Sequence, residues 1–214
     1  CIYDEEAEKL YFLEMNTRIQ VEHPVTNAAT GVDLLRAQVL HAFGAPIILK
    51  QKDVTAMGHS IEARITNLDP YDPNFAPLGG KKVDRYWSPE RTDRIRHYGY
   101  ITSGNTITSF DPMFAKVIGR GHDRTEAIEA LFRGLSEFII EGHEFRHNIP
   151  QQLFTISHPK FIEHEYNSET MDLIRTDFLD KFVPFFDENY GKKNRYNSPV
   201  VAEAVNNYFG HHFH

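Results

Sequence analysis

Residues 14–23 read EMNTRIQVEH, and the meaning of the chain turns on them. They follow a short apolar run, Tyr11, Phe12 and Leu13. In an extended strand, side chains alternate with period two. Glu14, Asn16, Arg18, Gln20 and Glu22 then share one face, and Met15, Thr17, Ile19 and Val21 the other. The second face is apolar enough to pack. The first carries two carboxylates, two carboxamides and a guanidinium in one row.

Working outward, two strand-like pieces, residues 1–3 and 9–15, flank a charged turn and predict a hairpin. A lone hairpin is only marginally stable, so these strands are expected to join a sheet begun upstream in a longer protein. Downstream the period changes. Leu34, Leu35, Val39, Leu40 and Phe43 recur at helical spacing, with Asp33 as cap and Gly44 as stop. Residues 58–67, GHSIEARITN, alternate again: Ile61, Ala63 and Ile65 inward, Glu62, Arg64 and Thr66 outward. A loop rich in Pro, Gly, Asn and Asp covers 68–82. Short strands follow in KVDRYWS, DRIRHYGYI and NTITSFDPMFAKVIGRG, with a turn at Gly104-Asn105. Residues 123–142 predict a helix capped by Asp123 with Glu126 three residues on. Its stripe is Ala127, Ile128, Leu131, Phe132, Leu135 and Phe138, and Ile139-Ile140 runs on as a strand. Then come a short helix at 151–157, a helix from Thr170 to Pro184, a polar linker GKKNRYNSP and a last helix.

Composition narrows the function classes. The chain has 214 residues, 41% hydrophobic and 25% charged, as globular proteins do. Its net charge of −7 argues against a nucleic-acid binder, while a local positive pocket remains compatible. A single cysteine, Cys1, permits no internal disulfide and fits a reducing compartment, the cytoplasm or a mitochondrial matrix. No apolar run reaches membrane-spanning length. The closing HHFH offers imidazoles to a metal, but lies where termini fray.

The polar row has its own chemistry. Glu14 and Asn16 offer hard oxygen donors of the kind Mg²⁺ shares with phosphates. Arg18 offers a planar donor fork for a small anion. Glu22 becomes a base wherever burial or a neighbouring negative charge raises its affinity for a proton. Such a set suits phosphoryl transfer to a small oxyanion. An ordinary solvated strand face is the alternative.

YFLEMNTRIQVEHPVT closely resembles the signature of biotin carboxylases, the ATP-grasp components of acyl-CoA carboxylases and pyruvate carboxylase. TGVDLLRAQVLHAFG, GHSIEARI, FDPMFAK and DRTEAIEAL extend the match in family order, to about residue 172. The resemblance implies an α+β fold: the second half of the ATP-grasp sheet in residues 1–50, then the antiparallel sheet-and-helix C-terminal domain in 51–176. Residues 177–214 form an unassigned extension. It implies that MgATP phosphorylates bicarbonate to carboxyphosphate, whose CO₂ carboxylates biotin. By this resemblance Glu14 and Asn16 hold Mg²⁺ or Mn²⁺ with ATP, and Arg18 holds bicarbonate with the backbone of Gln20 and Val21. Glu22 is the base, and Arg96 stabilises the biotin enolate.

Some positions depart from the family. Tyr98 stands where an acidic residue is usual, and Leu78-Gly79 where the loop Asp69, Pro70, Phe75, Ala76, Pro77, Gly80, Lys81 usually has serine. Arg120 precedes Gly121 at the usual dimer interface, where the family has an aromatic, and Arg124 takes the place of the interface arginine. The family's N-terminal region and mobile lid are expected outside this chain, which alone is then expected to be inactive. No biotin-attachment sequence is present, so biotin arrives on a separate carrier. Expected partners are that carrier domain, a carboxyltransferase, the missing regions of the same enzyme and a second copy in a homodimer, with neither nucleic acid nor membrane. Two alternatives stay open: an ATP-grasp ligase with another acceptor, as in carbamoyl-phosphate synthetases, and a non-catalytic scaffolding piece.

Overall fold

The structure is a computed structural model that describes residues 1–4, 6–74, 78–108, 111–211 and 213. Phe75, Ala76 and Pro77 of the loop, Phe110 of FDPMFAK, and His212 and His214 of the terminal HHFH lie outside the described residues. The protein is mixed α/β. Among the described residues, no helix is long and apolar enough to cross a membrane, and no cluster of three His, Cys, Asp or Glu could hold a metal ion.

The predicted hairpin is present. β1 (Ile2–Asp4) and β2 (Lys9–Tyr11) pair antiparallel, Tyr3 facing Leu10. The strand expected at 14–23 is not. Residues 12–17 have no ladder partner among the described residues, and Met15 is 75% and Phe12 71% exposed. A strand exists by pairing with a neighbour, and with none alongside the apolar face has nothing to cover it. At Glu22 the chain instead turns into a helix, α1 (His23–Thr30), which alternation could not foresee. Pro24 in its first turn has the backbone angle a helix start needs. Gly31 ends α1 in the left-handed conformation at φ 74. Asp33 then caps α2 (Leu34–Ala42), as predicted, accepting from the Arg36 N–H at 2.9 Å.

The core lies further on. β3 (His59–Thr66) buries Ala63 and Ile65 and exposes Arg64 between them. After β4 (Arg85–Trp87) and β5 (Ile95–Gly99) comes β6 (Met113–Gly121), which pairs antiparallel with both β3 and β5 to give the order β3-β6-β5. α3 (Arg124–Ser136) lies across one face of that sheet. Asp123 accepts from the Glu126 N–H at 2.9 Å, and Glu126 in turn accepts from the His122 N–H at 3.0 Å. The whole predicted stripe, Ala127 to Phe138, is buried. α3 seats closely because Gly119 is bare: a Cβ there would stand 2.5 Å from the Ala127 carbonyl. β7 (Ile139–Glu141) pairs with β4.

A helical layer completes the core: α4 (Ile149–Ser157), α5 (Pro159–Ile162), α6 (Ser168–Asp177), α7 (Val183–Tyr190) and α8 (Ser198–Phe209). The helix expected to stop at Pro184 runs through it. A π turn at Phe178–Phe182 widens the backbone just before the proline, with the Val183 N–H donating to Phe178. Such a bulge accommodates a residue that has no N–H to give. The expected linker at 191–199 is bound on both sides. Arg195 grips Asp187 with two hydrogen bonds of 2.8 and 2.6 Å, and the Tyr196 hydroxyl donates to Asp69 at 2.6 Å. Residues beyond 176 share the main core: Phe178, Phe182, Phe186, Val201 and Val205 are buried in it, and the Phe154 ring meets Phe182 at 5.1 Å.

Candidate active site

The turn at 20–22 is held from within and from below. The Gln20 carbonyl accepts from the His23 N–H at 3.2 Å and lies 2.7 Å from His23 Nδ1. That aims the peptide's other side outward, and neither the Gln20 nor the Val21 N–H donates to another described residue. From the sheet below, Lys116 Nζ on β6 donates to the Val21 carbonyl at 2.5 Å. Arg64 Nη2 on β3 donates to Glu22 Oε2 at 2.8 Å, and Ser60 Oγ to the Val25 carbonyl at 2.7 Å. Three side chains of one sheet face thus pin the start of α1.

Register explains why these three converge. Directly paired residues of neighbouring strands point to the same face. Arg64 faces Lys116, which faces Tyr98; Glu62 faces Ile118, which faces Arg96. The intervening residues Ala63, Val117 and His97 point to α3 and are buried. The polar face therefore presents Glu62, Arg64, Lys116, Arg96 and Tyr98 on the side away from α3. Lys116 Nζ lies 5.7 Å from the centre of the Tyr98 ring, so this tyrosine meets a cation. The Glu62 side chain is only 5% exposed. Burial pushes its carboxyl above the ordinary range, against the opposing pull of Lys116 and Arg64.

The sequence-predicted residues fall into two groups. Gln20, Val21 and Glu22 come together on the anchored turn. Arg18 adjoins them, exposed, its guanidinium donating, among the described residues, to its neighbour's carbonyl alone at 3.4 Å. Arg96 lies on the same sheet face two strands from Glu62, about 10 Å by strand spacing. It is exposed and makes no ion pair among the described residues. Glu14 and Asn16 stand apart on the unpaired stretch, exposed and without a polar contact to another described residue. Their oxygens are free to ligate, and a carboxylate with a carboxamide fits Mg²⁺ or Mn²⁺. Sequence reasoning missed Glu62, Arg64 and Lys116. The first two were visible as the outward residues of β3, but such a row also describes a solvated face. Arg124, expected from the resemblance to stand at a dimer interface, has partners within the chain: it donates to the Phe161 carbonyl and covers that ring at 4.6 Å.

Comparison with known proteins places residues 1–50 and 62–173 in known families. The family model described as Biotin carboxylase C-terminal domain matches residues 62–173. That described as Carbamoyl-phosphate synthase L chain, ATP binding domain, matches residues 1–50. The chain is similar to biotin carboxylase 1 of Bacillus subtilis, 42% identical over 175 residues, covering 80% of this chain and 37% of the relative. It is 35% identical over 168 residues to the human mitochondrial propionyl-CoA carboxylase alpha chain, covering 78% and 23%. Among solved structures it is similar to the biotin carboxylase domain dimer of Hydrogenobacter thermophilus 2-oxoglutarate carboxylase in complex with MgADP, ADP and bicarbonate. The TM-score is 0.74 at 33% identity, covering 81% of this chain and 38% of that one. Rhizobium etli pyruvate carboxylase gives 0.72 at 36%, covering 79% and 16%. The chain spans about a third of the length of the first biotin carboxylases it matches.

Proposed function

The chain belongs to the biotin carboxylase family, and on that footing we propose that it is the C-terminal part of an enzyme that carboxylates biotin. The reaction uses ATP and bicarbonate through carboxyphosphate. In this reading residues 1–50 complete an ATP-grasp sheet, whose remaining strands would cover Phe12, Leu13 and Met15. Residues 51–176 form the C-terminal domain, and 177–214 complete its core. The observation that carries the proposal is the anchored turn. Gln20 and Val21 offer two N–H groups that donate to no other described residue, Arg18 stands beside them, and Glu22 is braced by Arg64. That is a cradle for a small planar anion with a base at its edge.

Each group then has one task. The backbone N–H groups and the Arg18 fork hold bicarbonate by charge-assisted hydrogen bonds. Glu22 takes the bicarbonate proton, which frees an oxygen to attack the terminal phosphorus of ATP, and the bond from that phosphorus to the bridging oxygen breaks to release ADP. Arg96 faces the developing enolate of the ureido group and stabilises it without reorganising. Glu14 and Asn16 would hold Mg²⁺ or Mn²⁺, which when bound neutralises charge on the phosphates. Biotin comes on a separate carrier domain, with a carboxyltransferase as the next acceptor and a second copy as dimer partner. One cysteine suits the reducing cytoplasm or mitochondrial matrix.

The match at 1–50 favours one second reading, a carbamoyl-phosphate-type ligase. The test is steady-state ATP cleavage by the complete enzyme with bicarbonate varied. Stimulation by free biotin supports the first reading, and stimulation by ammonia alone the second. Glu22→Gln should slow bicarbonate-dependent turnover by roughly 10²- to 10⁴-fold, the usual worth of a positioned base. Arg18→Lys should also damage it, because charge without the planar fork does not orient the anion. A Glu22→Gln enzyme whose defect lies only in ATP affinity refutes the assignment.

A further inference from the structure

Glu62 is a carboxylate that the proposed reaction does not use. It sits in the middle of β3 with its side chain nearly closed to solvent. Its Oε2 has no hydrogen-bond partner among the described residues. Its Oε1 stands 3.7 Å from Arg64 Nε, while Nη2 of the same guanidinium donates to Glu22 at 2.8 Å. One planar fork therefore spans a buried carboxylate and an exposed one. A carboxylate is costly to bury unless something is gained by its charge. Charged and titratable groups around it on this side of the sheet include Arg64 on β3, Lys116 and Arg120 from β6, Arg96 and Tyr98 from β5, and Glu22 and His23 from the start of α1.

We propose that Glu62 is a positioning residue for the bicarbonate base: its carboxylate fixes Arg64 at Nε, so that the outer nitrogen holds Glu22 at the edge of the 20–22 turn. The inference rests on the reading of Glu22 given above. Arg64 and Glu22 are 49% and 56% exposed, and such a pair alone orients little, because long side chains keep their rotamer freedom. A buried anchor at the near end of the guanidinium removes much of that freedom. Only the ionised form of Glu62 can serve. Burial raises its pKa, so acidification discharges it earlier than an ordinary carboxyl.

The experiment measures kcat/KM for bicarbonate against pH in the complete enzyme, with KM for ATP as control. Glu62→Gln should lower bicarbonate kcat/KM about tenfold or more at alkaline pH, as removing the buried member of an ion pair does, with KM for ATP unchanged. The gap to wild type should close as pH falls, because protonated Glu62 and glutamine are then equivalent. Adding Arg64→Lys to Glu62→Gln should cost little more than Arg64→Lys alone. A wild-type profile in Glu62→Gln overturns the proposal, and so does a loss equal at every pH. Should Glu62→Gln not fold, Arg64→Lys carries the test: it must show the bicarbonate-specific loss, and unchanged bicarbonate kinetics overturn the idea. Glu22→Gln run alongside separates the two claims. If it too leaves bicarbonate kinetics intact, the reading of the turn fails; if it alone is crippled, only the role of Glu62 falls.

Discussion

Acidification should destabilise this protein through two buried histidines. His97 and His147 are both held at a pKa of about 4, in each case mainly because burial disfavours the charged ring, with a nearby arginine adding to it. His97 lies 2.8 Å from the Tyr86 hydroxyl, and His147 Nε2 lies 3.2 Å from the Tyr196 carbonyl. Unfolded, each titrates near 6.5. Between those values the unfolded chain binds more protons, so stability falls as pH falls. For a shift of this size the loss per histidine is about 2 kcal/mol at pH 5 and about 3 kcal/mol at pH 4. Two such losses approach the whole stability of an ordinary domain, roughly 5–15 kcal/mol. Glu62 works the other way: its raised pKa favours the folded state at low pH, a contribution lost as pH rises. Asp187, held below its usual range first by its hydrogen bond to Arg195, keeps its contribution until more acid conditions. Neither difference changes between wild type and a histidine variant. The assay is urea unfolding at pH 7.5 and 5.0 for wild type, His97→Gln and His147→Gln. Each variant should lose about 2 kcal/mol less than wild type between the two pH values. Equal acid losses in all three proteins refute the argument.

Two further outcomes follow. Leu131→Ala, at a position with no exposed surface on the α3 stripe, should cost about 2 to 5 kcal/mol in a urea titration, and a change within error would mean the stripe is not core. Lys116→Met should lower kcat/KM for bicarbonate by about 10- to 100-fold through the freed Val21 carbonyl, with KM for ATP unchanged; an effect on ATP alone would show that Lys116 serves the nucleotide.

What the sequence made legible was local. α3 could be read because its cap, Asp123 with Glu126, and its stripe lie within a few turns of each other. The same holds for Asp33 on α2 and for the alternation of β3. The errors were non-local. Residues 14–23 have strand-like alternation, but a strand needs a neighbour, and alternation cannot say whether one is present. Gly191, two lysines and two asparagines look like a linker until Asp187 and Asp69, from other elements, take up Arg195 and Tyr196. Pro184 looks like a stop because a π turn upstream cannot be read from residue type. In the site, Glu14, Asn16, Arg18, Gln20 and Glu22 were legible as a row because they recur at every second position of one short stretch. Lys116 joins Arg64 only through the β3–β6 register, and no property of either residue announces that pairing.

That difference in origin divides the site physically. Glu22 and the Val21 carbonyl are set by Arg64 and Lys116, which sit on neighbouring strands over a buried core. A ladder of paired strands moves as a unit, so the 20–22 turn, which holds bicarbonate on the proposed reading, inherits the stiffness of β3 and β6. Glu14 and Asn16 inherit nothing of the kind, because residues 12–17 have no ladder partner among the described residues. Their geometry depends on other contacts, and a metal with phosphates is one source of them. Substitutions on the sheet face should therefore act on bicarbonate and spare the nucleotide, whereas substitutions that alter how 12–17 is held should do the reverse. The ATP control in the Lys116 and Glu62 experiments thus tests this partition: a sheet-face variant that raised KM for ATP as much as it lowered bicarbonate kcat/KM would mean that the two halves are held by one scaffold.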